Sequence, residues 1–199
     1  MGFSTMAAQL WFSGVRPYLK TTSWSHSFPA VSGKARRSEL GLSFSYSPGR
    51  QADKDSGPLP QGDYLIRLAD VIEYRHTGSK YLAAAFAAVS KAMSFVEYLE
   101  KYEKAWGKMP GATGRILPIR TPDGSTDYAY GRNRCWIHGS DAPGSIGCID
   151  LTTFMDPFLA AIAQTGTPEI PLKVTYGLSP TGREANEVDG FGRDISNTA

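Results

Sequence analysis

The chain has 199 residues, 41% apolar and 20% charged, with a net charge of +2 at pH 7. That size and apolar content suit a single domain with a real core. The near-balanced charge, without a dominant Lys/Arg cluster, argues against a nucleic-acid partner, and no segment supplies the roughly 18 consecutive apolar residues of a membrane span.

Two Cys are too few for the disulfide framework of a small secreted domain. Residues Met1 to Leu10 contain no Lys or Arg and no apolar run long enough for a signal-peptide core, so ordinary export is not expected. With Gly 21 and Pro 13 the chain should turn often, and Tyr 10 with Phe 9 favours strands.

Residues 6–68 read as β structure. Gln9-Leu10-Trp11-Phe12 and Ser27-Phe28-Pro29-Ala30-Val31 are short apolar runs bounded by Gly and Ser. Lys34-Ala35-Arg36-Arg37, the densest basic spot, reads as a solvated turn. Leu40, Leu42, Phe44 and Tyr46 alternate with small or polar residues, the period of a half-buried strand. Gly57-Pro58-Leu59-Pro60-Gln61-Gly62 is a turn by composition, and Tyr64 to Leu68 is the next strand.

Residues 79–106 read as a helix. Leu82, Phe86, Val89, Met93, Val96 and Leu99 form one apolar stripe, with Glu97–Lys101 and Glu100–Lys104 paired along the helix. Ser79 is the candidate cap, and Gly107 with Pro110-Gly111 the stop. Such a helix either packs on the sheet or is an inserted lid.

Strands are expected again at Ile116–Ile119, Tyr128–Tyr130 and Arg134–His138, the first two around a Pro122-Asp123-Gly124 turn. Asp156-Pro157 reads as the cap and first residue of a helix to about Gln164, with Gly166 at its end. Leu172–Tyr176 is the last expected strand, and 181–199 a polar, loose tail. The fold class is mainly β with α insertions.

The chemistry concentrates in Cys135-Trp136-Ile137-His138-Gly139-Ser140-Asp141-Ala142-Pro143-Gly144-Ser145-Ile146-Gly147-Cys148-Ile149-Asp150-Leu151, where His138 precedes Cys148 by ten positions. A thiolate nucleophile needs a base, and neutral imidazole is the commonest one. It also needs donors for the oxyanion that forms when it attacks a carbonyl, and the N–H groups of Gly147 and Cys148 can supply them. A lone His is most often structural and a free Cys most often a small buried apolar group. The Gly139 neighbour and the Ser-X-Gly-Cys sequence favour base and nucleophile instead, and an imidazole beside the thiol favours the thiolate.

Cys135 reads as core. A zinc site of Cys135, His138 and Cys148 would lack a fourth ligand, so neither a metal nor any other cofactor is expected. Ser145 is a candidate bond to the loop or to substrate. It lacks the Gly-X-Ser-X-Gly setting of a serine nucleophile. Gly139, Ser140, Ser145 and Asp150 are the candidate substrate-contacting positions. Asp141 and Asp150 are also candidates to orient His138, although a backbone carbonyl is favoured for that role. His26 and His76 lie in contexts without chemistry.

His138, Ser145, Gly147 and Cys148 resemble the active-site motif of YkuD-type L,D-transpeptidases, a His followed by Ser/Thr-His-Gly-Cys. Ile146 stands where that motif has His, and Asp150 where it usually has Arg. The chain is similar overall to a divergent branch, the type VI secretion L,D-transpeptidase effectors. That branch joins a His-Gly…Gly-Ser-X-Gly-Cys-Ile motif to segments like Phe28-Pro29-Ala30-Val31-Ser32-Gly33 and Gly57-Pro58-Leu59-Pro60-Gln61-Gly62-Asp63-Tyr64. The likeness covers about 20–68 and 116–176 and leaves 79–106 without a counterpart.

The resemblance implies a YkuD-like β-sandwich spanning 1–199, here with one long inserted helix. It implies attack by Cys148 on peptidoglycan tetrapeptide stems, before the terminal D-Ala. Water then resolves the acyl-enzyme as an L,D-carboxypeptidase, or an amine or D-amino acid does so as a transpeptidase. It further implies delivery by a secretion apparatus, action in the periplasm of a target bacterium, and a cognate immunity protein. A cysteine amidase or peptidase of another bond, and an inactive peptidoglycan-binding module, remain the alternatives.

Overall fold

The computed structural model describes residues 8–14, 16–38, 41–73, 115–140, 143–176 and 187–189. These are mainly β, with short helices. One five-stranded sheet runs β3 (Ser25–Ser27), β2 (Pro17–Lys20), β1 (Gln9–Phe12), β14 (Glu169–Val174), β7 (Gly62–Arg67). A second runs β4 (Val31–Ser32), β13 (Ile149–Asp150), β12 (Trp136–His138), β9 (Arg115–Pro118), β8 (Ile72–Glu73). A three-stranded sheet, β15 (Glu187–Asp189), β6 (Gly41–Ser45), β5 (Arg36–Ser38), and the hairpin β10 (Asp127–Tyr128), β11 (Arg132–Asn133) complete the β structure. The helices are α1 (Pro48–Gln51) and α2 (Met155–Gln164).

One apolar cluster unites both five-stranded sheets with α2. It takes Leu10, Phe12, Ile66, Leu172 and Val174 from the first sheet, Leu117, Ile137 and Ile149 from the second, and Met155, Phe158 and Ile162 from the helix. Alternation explains the strand contributions: in β1, Leu10 and Phe12 are buried while Gln9 and Trp11 are partly exposed. In α2 the buried Met155, Phe158, Leu159 and Ile162 recur at steps of three and four, and Phe158 meets Phe28 edge-on at 5.4 Å.

Several expected boundaries move. The run 27–31 divides into β3 and β4, with Phe28–Ala30 between them. β14 begins at Glu169 and passes through Pro171. Leu65 spends its N–H and C=O on Arg120, so it opposes Pro171 as a non-hydrogen-bonded pair. The Pro171 nitrogen therefore faces the β1 side, where pairing starts only at Leu172, and the missing N–H removes no ladder bond.

Tyr128 ends β10, and Ala129–Gly131 form a 3₁₀ turn with Tyr130 at φ 61°. β12 is shorter than Arg134–His138, because Arg134 holds φ 56° and breaks the extended chain. α2 starts at Met155 after a 3₁₀ turn over Thr152–Phe154, so Asp156 lies inside the first turn rather than capping it. There its charge favours the helix N-terminus and pairs with Arg115 at 3.1 Å.

The basic stretch read as a turn enters β5, and β2 and α1 carry no periodicity long enough to be seen in sequence. Part of the expected tail, Glu187–Asp189, pairs with β6 as a strand. The expected helix over 79–106 lies outside the described residues. No helix among the described residues is long and apolar enough to cross a membrane.

The segments Phe28–Gly33 and Gly57–Tyr64 come together. Leu59 N–H donates to Ser32 Oγ at 2.9 Å, and Lys34 N–H to the Ser56 carbonyl at 2.8 Å. A Cβ on Gly33 would stand 2.8 Å from the Pro58 nitrogen, so only glycine allows this approach.

Candidate active site

β12 and β13 are parallel neighbours, with Ile137 opposite Ile149 and His138 opposite Asp150. Residues 139–148 make the crossover between them. The parallel register sets His138 beside Asp150 on one face of the sheet. Cys148 immediately precedes β13, at the end of the turn that leads into it. Pairing continues beyond the strands: Leu151 N–H donates to His138 O at 2.7 Å, and Ser140 N–H to Thr152 O at 3.0 Å.

Several polar groups of the crossover and its flanks hold it in place. Asp150, fully buried, accepts from the Ser140 hydroxyl, from Gly144 N–H at 3.0 Å and from Thr152 N–H at 2.8 Å. Ser145 donates its hydroxyl to the Cys148 carbonyl at 2.6 Å and its N–H to Gly33 O at 2.9 Å. The second bond ties the turn to the Phe28–Gly33 segment.

Glycine is required at two points. At Gly139 a Cβ would sit 2.5 Å from Thr152 O. Gly147 combines φ 91° with an Arg132 Nη2 that would lie 1.9 Å from its Cβ. Thr152 adopts φ 52°, a left-handed conformation unfavourable for a β-branched residue, and its N–H and C=O both serve the crossover.

His138 is nine-tenths buried. Its Nδ1 lies 3.2 Å from the Gly139 carbonyl and 3.8 Å from Asp150 Oδ1. The Cys148 side chain is close enough to the ring to favour its charged form. Burial, the largest single influence, favours the neutral ring; the Asp150 charge, the Cys148 thiol and the Gly139 carbonyl together outweigh it and raise His138 to about 9. The imidazole is therefore a strong proton acceptor, and its charged form is stabilised by a carboxylate with no access to solvent. The N–H groups of Ile146, Gly147 and Cys148 donate to no other described residue.

The structure brings together His138, Gly139, Ser140, Ser145, Gly147, Cys148 and Asp150. Of the four positions read as substrate-contacting, Ser140 and Ser145 direct their hydroxyls inward and Asp150 has no exposed surface. Their observed bonds hold the crossover that carries Cys148 beside His138. The Gly139 carbonyl orients His138 as expected of a backbone group, with Asp150 close behind.

Cys135 is buried in the core, and its thiol is pushed up to about 12 by burial, with a small opposing effect of Arg132. Both Cys are free thiols. His26 is exposed on β3, 4.9 Å from the Trp24 ring. Asp141 and His76 lie outside the described residues.

Sequence reasoning missed two residues around the site, Thr152 and Arg132. A β-branched residue after a strand gives no sign of a left-handed backbone. Arg132, in a polar hairpin, gives no sign of being buried. No protein-family model and no curated protein matches the chain.

Proposed function

We propose that the chain is a cysteine acyl-transferase acting on peptidoglycan tetrapeptide stems, an L,D-carboxypeptidase, an L,D-transpeptidase, or both. The observation that carries the acyl-transfer reading is the contact of Cys148 with a buried His138 whose Nδ1 faces Gly139 O and Asp150. The substrate class rests on the motif resemblance. So do the YkuD-like sandwich, the inserted helix over 79–106, delivery by a secretion apparatus to a target periplasm, and an immunity partner.

In the first half-reaction, with the proton of the Cys148–His138 pair on the imidazole, Sγ attacks the carbonyl carbon that precedes the terminal D-Ala. The carbonyl oxygen takes the negative charge, facing the N–H groups of Gly147 and Cys148. As the tetrahedral centre collapses, the C–N bond breaks and the imidazolium gives its proton to the leaving amine. A thioester and free D-Ala result. In the second half, His138 takes a proton from water or from an incoming amine. The same oxyanion site is used again, and the thiolate leaves. Asp150 stabilises the imidazolium in both halves.

Mass spectrometry of disaccharide-tetrapeptide muropeptides tests this, comparing native chain with Cys148→Ala, with and without added D-amino acid. Loss of one D-Ala, or its exchange, only with the intact thiol is the expected result. Removal of more than D-Ala would indicate an amidase or peptidase instead. Stem binding without turnover, equal in Cys148→Ala, would indicate a binding module. Deleting 79–106 is expected to abolish stem binding and leave unfolding unchanged if that segment is a lid; global unfolding would refute it.

A further inference from the structure

Behind the Gly147–Cys148 turn lies a buried arginine that the steps above do not use. Arg132 is 4% exposed and reaches from β11 into the loop after α1. Its Nη1 donates to the carbonyls of Gln51 at 3.2 Å, Asp53 at 2.8 Å and Pro58 at 3.1 Å, and its Nη2 to that of Gly57 at 3.1 Å. On its other side it lies against Gly147, whose Cβ, if present, would stand 1.9 Å from Nη2 and 3.1 Å from Cζ.

The four carbonyls accept from Nη1 and Nη2 but carry no net charge. Arg132 joins none of the ion pairs among the described residues. Asp53, whose carboxyl feels its field, is paired with Arg50 at 2.7 Å and is 40% exposed. Burying a cation without an anion is costly, and holding a loop requires only neutral donors. The cost is offset where negative charge forms nearby, and the adjacent residue is the one on which the proposed chemistry forms it.

We propose that Arg132 is a positioning residue for Cys148: fixed by four carbonyls behind Gly147, its guanidinium stabilises the negative charge carried by the thiolate and then by the oxyanion. The groups around the Gly147–Cys148 turn are His138 from β12 with Asp150 behind it in β13, Tyr128 from β10, and Arg132 from β11, which lies against Gly147 together with the Cys135 sulfur. Of these Arg132 carries the permanent positive charge. The inference rests on Cys148 as nucleophile and not on the identity of its substrate, so its test uses no peptidoglycan.

Cys148 alkylation, mapped by peptide mass spectrometry, is measured with neutral iodoacetamide and anionic iodoacetate at neutral pH. A fixed cation near the thiol accelerates the anionic reagent preferentially. The iodoacetate-to-iodoacetamide rate ratio is expected to fall about tenfold in Arg132→Gln and to stay within about threefold of native in Arg132→Lys. Equal slowing of both reagents, with the ratio unchanged, would make Arg132 purely structural. Should Arg132→Gln fail to fold, His138→Gln in the otherwise native chain answers the same question, because Arg132 is then the remaining cation at the thiol. Its ratio should stay severalfold above that of a small neutral cysteine amide, and equality with the amide would overturn the proposal.

Discussion

The sheet β3-β2-β1-β14-β7 and the crossover from His138 to Asp150 are both buried, by opposite means. In the sheet, the inward positions are apolar and interchangeable in kind: Leu10, Phe12, Leu19, Ile66, Leu172 and Val174 need only volume and alternation. In the crossover, the buried groups are a carboxylate, two hydroxyls, an imidazole and a thiol, each with a specific partner. The first region draws its stability from apolar area removed from water. The second spends part of that stability on polar burial and a left-handed Thr152, to hold an imidazole beside a thiol. Chemistry here is placed where packing alone would not put it.

Substitutions should separate the two regions. The largest stability effect is expected in the sheet: Phe12→Ala removes a fully buried ring and should cost about 3–5 kcal/mol by denaturant unfolding. At sub-denaturing conditions its Cys148 alkylation should remain native-like. Gly147→Ala comes next. It forces an alanine to φ 91° and a Cβ against the Arg132 guanidinium. A loss of about 2–4 kcal/mol is expected together with loss of turnover, so that stability and activity fall as one.

Asp150→Asn should divide them. The shape is kept, but the imidazolium loses its carboxylate, and turnover should fall about 100-fold or more for a stability cost of about 1–3 kcal/mol. One of the influences that raise His138 is then gone, and the ring should titrate below its native value of about 9. An NMR titration of the ring reads this directly. The sign for stability follows from the same values. His138 is raised on folding, so its contribution is complete below about pH 6.5 and is lost as pH rises through about 9. The stability difference between native chain and His138→Gln should therefore shrink between those limits. The smallest effect is Thr152→Gly, which relieves the left-handed backbone at φ 52° and should stabilise by about 1 kcal/mol.

The same contrast explains what could be read in advance. β6 is legible because a half-buried strand writes its period into the sequence, and β1, β7 and β9 because short apolar runs stand out between polar and turn residues. Cys148 and His138 are legible because thiol chemistry restricts the residue types around it. Asp150 is visible, with Asp141, as one of two carboxylates that could orient His138, but nothing in the sequence singles it out. Its place beside His138 comes from parallel register, which spans ten intervening crossover residues and leaves no period. Arg132 and the left-handed Thr152 depend on distant partners, four carbonyls of residues 51–58 and the backbone of Gly139 and Ser140. β2, β5 and α1 are too short for either periodicity to develop.

The most direct measurement of the central claim is rapid-quench mass spectrometry of the protein mixed with a tetrapeptide muropeptide. The account predicts an acyl adduct on the Cys148 peptide, equal in mass to the substrate acyl group without its D-Ala, formed with release of D-Ala and absent in Cys148→Ala. An adduct on another residue, or D-Ala release that persists in Cys148→Ala, would contradict it.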